Sequence, residues 1–297
     1  MKDEFAYNNG KIVYEVHGKK LEGKSTIVFI HGHSLNRREW DLQVDELTKE
    51  GNKVITYDRR GYGESSELTG KYSDSDDLEG LLKHLGVERA EICGHSSGGG
   101  VALEYAINYP NRVEGLILIA SSLGSYGVSK EDSILYNKWR ELASKGMMDT
   151  VKEEILQHPS LNTLKTHKEE YELVKNIVND YEGGHFLHDN LVENTPHIDE
   201  EIYKISCPTK IIIGEDEYEE EKLKEDKFKE EEGYTKLFCK SDKIHKEISN
   251  SELQVVEGAG HFVNLEKPDV VNLAINEFIE GKKEGRAEID NELAHNI

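Results

Sequence analysis

Three short stretches of this 297-residue chain carry side chains that could do chemistry together. The first is Gly94-His95-Ser96-Ser97-Gly98, a G-x-S-x-G sequence. Glu91-Ile92-Cys93 before it reads as a strand, and Val101-Ala102-Leu103-Glu104-Tyr105 after it reads as a helix. A turn that tight between strand and helix strains its central residue and lifts that side chain to the carboxyl edge of the sheet. The helix start favours negative charge developing there. Ser96 is therefore placed for nucleophilic attack. A phosphate loop would need Lys before Ser or Thr, and a dinucleotide loop would need G-x-G-x-x-G in the first βα unit; the stretch has neither.

A serine nucleophile needs a base within about 3 Å. Gly258-Ala259-Gly260-His261-Phe262 follows the last strand and precedes the last helix, which puts His261 on a turn at the same sheet edge. Ile30-His31-Gly32-His33 also follows an apolar strand. The oxyanion of an acyl transfer needs two preorganised N–H donors. The backbone amides of Ser97 and His33 are the expected pair. The rival reading of His31 and His33 is a metal pair, but a third ligand is lacking nearby. His185 and His188-Asp189 form another loose group. No metal and no cofactor is expected. His95 is expected to pack within the elbow, and Cys93 to sit in the sheet as a small apolar group.

Strands must bring these stretches together. Ile12–Val16, Ile27–Ile30, Val54–Tyr57, Ala90–Cys93, Val113–Ala120, Lys210–Ile213 and Leu253–Val256 are short apolar, β-branched runs. Helical patterns over 37–50, 74–85, 97–109 and 268–280 separate them. Such alternation implies parallel pairing through crossovers. LILIA is apolar throughout, as a strand covered on both faces should be. The rhythm breaks between 122 and 205, which reads as a helical insertion. Residues 215–250 are rich in Glu and Lys, and the charge run EDEYEEEKLKEDKFKEEE within them reads as a solvated helix.

Hydrophobic residues make up 36% of the chain and charged residues 32%, enough apolar content for a core. The formal net charge of -22 would repel phosphate backbones, so nucleic acid is excluded as a partner and a small-molecule substrate expected. Cys93, Cys207 and Cys239 are odd in number and widely spaced, which fits a reducing cytoplasm rather than a disulfide framework. MKDEFAYNNG lacks the apolar core of a signal peptide. No run of about 18 apolar residues is present, so no membrane span is expected.

Together these residues resemble the α/β-hydrolase superfamily: His31-Gly32, Tyr57-Asp58-Arg59-Arg60-Gly61-Tyr62-Gly63-Glu64-Ser65, the Ser96 elbow, Tyr109-Pro110-Asn111-Arg112-Val113 and Gly258-Ala259-Gly260-His261. The resemblance covers about 1–122 and 205–280 and is near the esterase, haloperoxidase-like and carbon–carbon-bond hydrolase branches. Epoxide hydrolases and haloalkane dehalogenases carry Asp where Ser96 stands. The resemblance implies an α/β fold with a mostly parallel central sheet flanked by helices. It implies a core of 1–122 and 205–283, a helical lid over 123–204 and a polar tail from 284 to 297. In the family the Arg59-Arg60 loop is largely structural.

The family also implies a triad acid after the seventh strand, commonly as G-x-x-D. Here Gly214-Glu215-Asp216-Glu217 puts Glu217 in register and Asp216 one residue short. Register favours Glu217, residue type favours Asp216, and an acid supplied from elsewhere, such as the lid, is a third option. The implied function is cleavage of an ester or related acyl bond of a small, partly apolar substrate through an acyl-enzyme. Carbon–carbon bond hydrolysis or cofactor-free perhydrolysis with the same residues is an alternative, as is ligand binding without turnover. Tyr126, Leu135, Tyr136, Trp139, Met147 and Phe186 of the lid are candidates to line an apolar pocket over Ser96, though each reads first as ordinary lid core.

Overall fold

The computed structural model describes residues 1–124, 130–188, 191–193, 198–232 and 239–295. Eight strands form one sheet: β1 (Lys2–Tyr7), β2 (Gly10–His17), β3 (Thr26–Ile30), β4 (Lys53–Tyr57), β5 (Ala90–His95), β6 (Val113–Ile119), β7 (Thr209–Gly214) and β8 (Ser251–Val256). Their order is β1-β2-β4-β3-β5-β6-β7-β8. β1 and β2 pair antiparallel, β2 is antiparallel to β4, and all pairs from β4 to β8 are parallel.

The period-2 alternation of strands sorts the apolar side chains onto two faces. Val28 and Ile30 of β3, Ile92 of β5 and Leu116 and Leu118 of β6 enter one core. Ile27, Phe29, Cys93, Ile117 and Ile119 enter the other. Each fully buried side chain of this kind contributes about 1.5–3 kcal/mol. Cys93 thus sits in the sheet as expected. Helices α2 (Asp74–His84) and α3 (Ser97–Asn108) cover the first face, and α1 (Asp41–Lys49) lies on the second with the last helix.

Between β6 and β7 the chain forms an inserted helical region. It comprises α4 (Lys130–Ser144), α5 (Met148–Gln157), α6 (Lys168–Asp180) and the one-turn helices α7 (Gly184–Leu187) and α8 (Ile198–Glu201). Its apolar residues form a third core with Leu35, Tyr62, Phe262 and Leu265 from loops and a short helix of the sheet domain. The region is therefore packed onto the sheet's carboxyl edge. After β7 come α9 (Glu215–Glu232), α10 (Lys240–Glu247), α11 (Val263–Glu266) and α12 (Pro268–His295).

Three expectations change. β1 was not foreseen, because KDEFAY is polar and mostly exposed; charged residues are usual on an edge strand that must not recruit another chain. The last helix does not stop near 280 but runs through position 295, where a tail was expected. The charge run 215–232 forms one helix, α9, as expected, but it is not solvated all round: Glu217 and Glu221 turn inward. Among the described residues no helix is long and apolar enough to cross a membrane.

Candidate active site

The strand order reverses direction at β3, whose neighbours are β4 and β5. Such a switch point opens a crevice at the carboxyl ends of the strands. The turns after β3, β5, β7 and β8 converge there.

Ser96 follows β5 with φ 52° and ψ −120°, a backbone that non-glycine residues rarely adopt. Its neighbours must be small. A Cβ on Gly94 would overlap the Gly98 carbonyl, and one on Gly98 would overlap the carbonyls of Ile30 and His31. The Ser96 amide donates to Ile119 O at 3.0 Å, and its carbonyl accepts from Ser122 N at 2.9 Å. The elbow is thus pinned to β6.

His261 lies across from it. Ser96 Oγ and His261 Nε2 are 3.1 Å apart, and His261 Nδ1 lies 3.0 Å from Glu217 Oε1. A carboxylate can only accept, so Nδ1 donates to Glu217 and Nε2 is the ring nitrogen that faces the Ser96 hydroxyl. β7 passes into α9 without a loop, and this junction holds the His261 turn. Asp216 N donates to Ala259 O at 3.0 Å, and Gly258 N donates to Glu215 Oε2 at 3.1 Å. Gly260 N also donates to Glu266 Oε2.

Of the two acid candidates, Glu217 reaches His261 and Asp216 does not. Asp216 Oδ2 instead accepts from Thr163 Oγ1 at 3.0 Å, at the edge of the helical region. Burial would raise the Glu217 pKa, but attraction to His261, the hydrogen bond from it, Lys240 and His95 together pull it down to about 2.

The expected oxyanion donors, Ser97 and His33, follow the nucleophile and the β3 turn. Ser97 opens α3, where backbone N–H groups lack intrahelical acceptors. His33 follows Gly32 on the β3 turn, and both His33 and Ser96 line the cavity. The His33 ring is ringed by aromatics, with Phe186 at 5.1 Å and Tyr136 at 5.8 Å between centroids. Burial, then Arg59, lower its pKa to about 3, so it is neutral.

Several other candidates have structural roles. His31 Nε2 accepts from Arg59 N at 3.0 Å and Nδ1 donates to Gly32 O at 2.8 Å, so both ring nitrogens are engaged by backbone. His185 Nε2 pairs with Tyr72 Oη at 2.8 Å, and its ring stacks on Tyr62. Asp189 lies outside the described residues. Arg59 is held by Asp74 and Arg60 by Asp77, both buried on α2, so neither guanidinium is offered to a substrate.

The cavity over Ser96 has a volume of about 390 Å³. Two of the lining candidates, Tyr136 and Trp139 of α4, line it. Leu135 and Phe186 belong to the core of the helical region, Met147 is exposed, and Tyr126 lies outside the described residues. The sequence reading missed Thr163, Lys240 and Glu221 in the cavity wall. Lys240 Nζ lies 3.0 Å from Glu221 Oε1, a contact across two helices that no local spacing announces.

Comparison with known proteins bears on the fold. The sequence model for the alpha/beta hydrolase fold matches residues 25–176, just over half of the chain. The bifunctional esterase/perhydrolase DCH of Acinetobacter calcoaceticus is 36% identical over 110 residues, 36% of this chain and 40% of that protein. A 2-hydroxy-6-oxononadienedioate/2-hydroxy-6-oxononatrienedioate hydrolase of Paraburkholderia phymatum is 38% identical over 109 residues, 34% of this chain and 38% of that protein. The chain thus aligns with about two fifths of the length of these relatives. The structure of a thermophilic esterase from Thermogutta terrifontis superposes with a TM-score of 0.73 at 24% identity, covering 95% of this chain and 99% of that one, which speaks to the fold alone. The chain belongs to the alpha/beta hydrolase fold family.

Proposed function

We propose that this protein is a serine hydrolase that cleaves an ester or related acyl bond of a small, uncharged, partly apolar substrate through an acyl-enzyme. The observation that carries this reading is the unbroken contact from Ser96 Oγ through His261 to Glu217. His261 Nε2 takes the Ser96 proton as Oγ attacks the acyl carbon. The amides of His33 and Ser97 hold the oxyanion. The bond to the leaving alcohol breaks, and that alcohol receives the proton from His261. Water, deprotonated by His261, then attacks the acyl carbon, the bond from that carbon to Ser96 Oγ breaks, Oγ takes the proton back from His261, and the acid leaves. Glu217 stays ionised throughout and fixes the imidazole tautomer.

Residues 123–204 act as the lid, with the chain on either side, 1–122 and 205–283, as the hydrolase core. Tyr136, Trp139, Ile155 and Leu161 give the cavity its apolar wall, as ligand pockets require. The described lining also holds the carboxylates of Asp132, Asp216, Glu217, Glu220 and Glu221 against the single ammonium of Lys240, itself paired with Glu221. A dicarboxylate, the substrate type for which the P. phymatum relative is named, would meet repulsion there. Acyl esters without charge suit the pocket better than that carbon–carbon hydrolase reading.

The test is labelling by a fluorophosphonate probe, followed by turnover of short neutral p-nitrophenyl esters and of a dienoate dicarboxylate ketone. Ser96 takes the label and the esters turn over faster. Ser96→Ala loses both, with kcat falling on the order of a millionfold. Full activity in Ser96→Ala, or preference for the dicarboxylate, ends this reading.

A further inference from the structure

His95 stands next to the nucleophile, yet its side chain points away from the cavity into the protein, where it is 1% exposed. Glu39, in the 3-10 turn Arg37–Trp40, is 0% exposed and meets it there. His95 Nδ1 lies 2.5 Å from Glu39 Oε1, and His95 Nε2 lies 2.9 Å from the carbonyl oxygen of His261. Both neighbours are acceptors. A carbonyl has no proton to give, so Nε2 must be the donor. Two lone pairs at 2.5 Å would repel, so a proton must lie between Nδ1 and Oε1, on the ring or on the carboxyl. The remaining partners of Glu39 are all donors, which favours placing that proton on the ring. Gly32 N donates to Oε2 at 3.0 Å and Asn264 Nδ2 to Oε1 at 3.4 Å.

We propose that His95 and Glu39 form a buried imidazolium–carboxylate pair that joins the turn carrying His261 to the turn carrying the oxyanion donor His33, and so fixes both relative to Ser96. The pair is a chain of three links: the His261 carbonyl, the two charged side chains, and the Gly32 amide. Each end lies within one residue of a group that must meet the substrate. The His95 and His261 rings are 4.9 Å apart between centroids, so the link runs directly beneath the base. Trp40, adjacent to Glu39, is stacked on Phe29 of β3 at 4.5 Å, which anchors the carboxylate's own turn. A Cβ on Gly32 would lie 3.1 Å from His95 Nδ1, so the β3 turn rests closely on the ring.

Burial alone would push the His95 ring toward neutrality. The Glu39 carboxylate and the His261 carbonyl, with Glu217 beyond them, outweigh this, and its pKa lies above the ordinary histidine value. A buried ion pair is weak evidence for net stability, and breaking one by removing a partner is costly. Its use here is positional. His95 and Glu39 touch no substrate atom and are positioning residues.

Two measurements on the full chain decide. In 15N-histidine-labelled enzyme near neutral pH, both His95 ring nitrogens are expected to carry protons in slow exchange. Kinetically, Glu39→Ala cuts the joint, and kcat falls on the order of a hundredfold, as a small misplacement of reacting groups does, with KM nearly unchanged. Glu39→Gln restores an acceptor for Gly32 N without the charge and recovers part of the loss, while His95 Nδ1 loses its proton. A wild-type His95 with one unprotonated nitrogen overturns the inference, as does a folded Glu39→Ala with wild-type kcat. If Glu39→Ala does not fold, the wild-type spectrum and Glu39→Gln decide. The kinetic arm rests on the serine-hydrolase reading. Wild-type enzyme whose Ser96 takes no fluorophosphonate label sinks that reading, and the spectrum still decides the ion pair; labelled enzyme with a neutral His95 sinks the ion pair alone.

Discussion

At the scale of single residues, the site turns on which of two adjacent carboxylates faces His261. Both follow the same strand, and both have the right chemistry. The choice is made by helix geometry: successive residues of a helix point about 100° apart, so when α9 starts at Glu215, Asp216 and Glu217 must diverge. Glu217 reaches Nδ1 and Asp216 reaches Thr163. Because no loop separates β7 from α9, the sequence could not reveal this; it would have required knowing the residue at which the helix begins. Ser96 and His261 were legible because each sits among glycines that the backbone demands. The divergence makes a sharp prediction. Glu217→Gln removes the charge that stabilises the imidazolium and offers an amide N–H that can hold Nδ1 unprotonated, the wrong tautomer, and kcat is expected to fall on the order of 10³–10⁴-fold. Asp216→Asn keeps an acceptor for Thr163 and should change kcat by no more than about twofold, the effect usual for exposed positions. Steady-state kinetics on a p-nitrophenyl ester checks both, and the reverse ranking would hand the role to Asp216.

At the scale of elements, the geometry of the base is set by how closely the end of β7 approaches the turn after β8. A Cβ on Gly214 would overlap the carbonyl oxygens of Ala259 and Gly260. The approach is what lets Asp216 N bond Ala259 O and Glu215 cap Gly258 N. Gly214→Ala therefore has to push the His261 turn outward. Overpacking of this kind costs about 1–3 kcal/mol, and the displaced base should lower kcat on the order of a hundredfold. Thermal melting and turnover measure the two effects, and a variant with wild-type kcat would show that the turn is held by something other than this junction. Most elements were legible because parallel strands buried on both faces read as apolar runs and their crossover helices as periodic ones. β1 was not, since an edge strand has one neighbour and needs little apolar surface. The inward face of α9 was not, since in a run of Glu and Lys the buried carboxylates look like the solvated ones. The His95–Glu39 contact was not, since it joins residues 56 positions apart through packing alone.

At the scale of the whole molecule, a chain with net charge -22 responds to acid in two opposing ways. Protonating surface carboxylates relieves self-repulsion and favours the compact state. Protonating carboxylates that the fold uses does the reverse. Glu217 belongs to the second group. Its folded pKa of about 2 lies below the unfolded value of about 4.3. The unfolded chain therefore binds the proton first, and stability falls as pH drops between those values. The contribution is complete above about pH 4.3, is on the order of 1–3 kcal/mol, and vanishes near pH 2. Wild type and Glu217→Gln share the same relief of surface repulsion, so their difference isolates the buried term. The melting-temperature gap between them should hold above about pH 5 and close progressively below about pH 4. A gap that stays constant down to pH 3 would mean that Glu217 is not held ionised by His261 and Lys240, and the tautomer argument for the base would lose its footing with it.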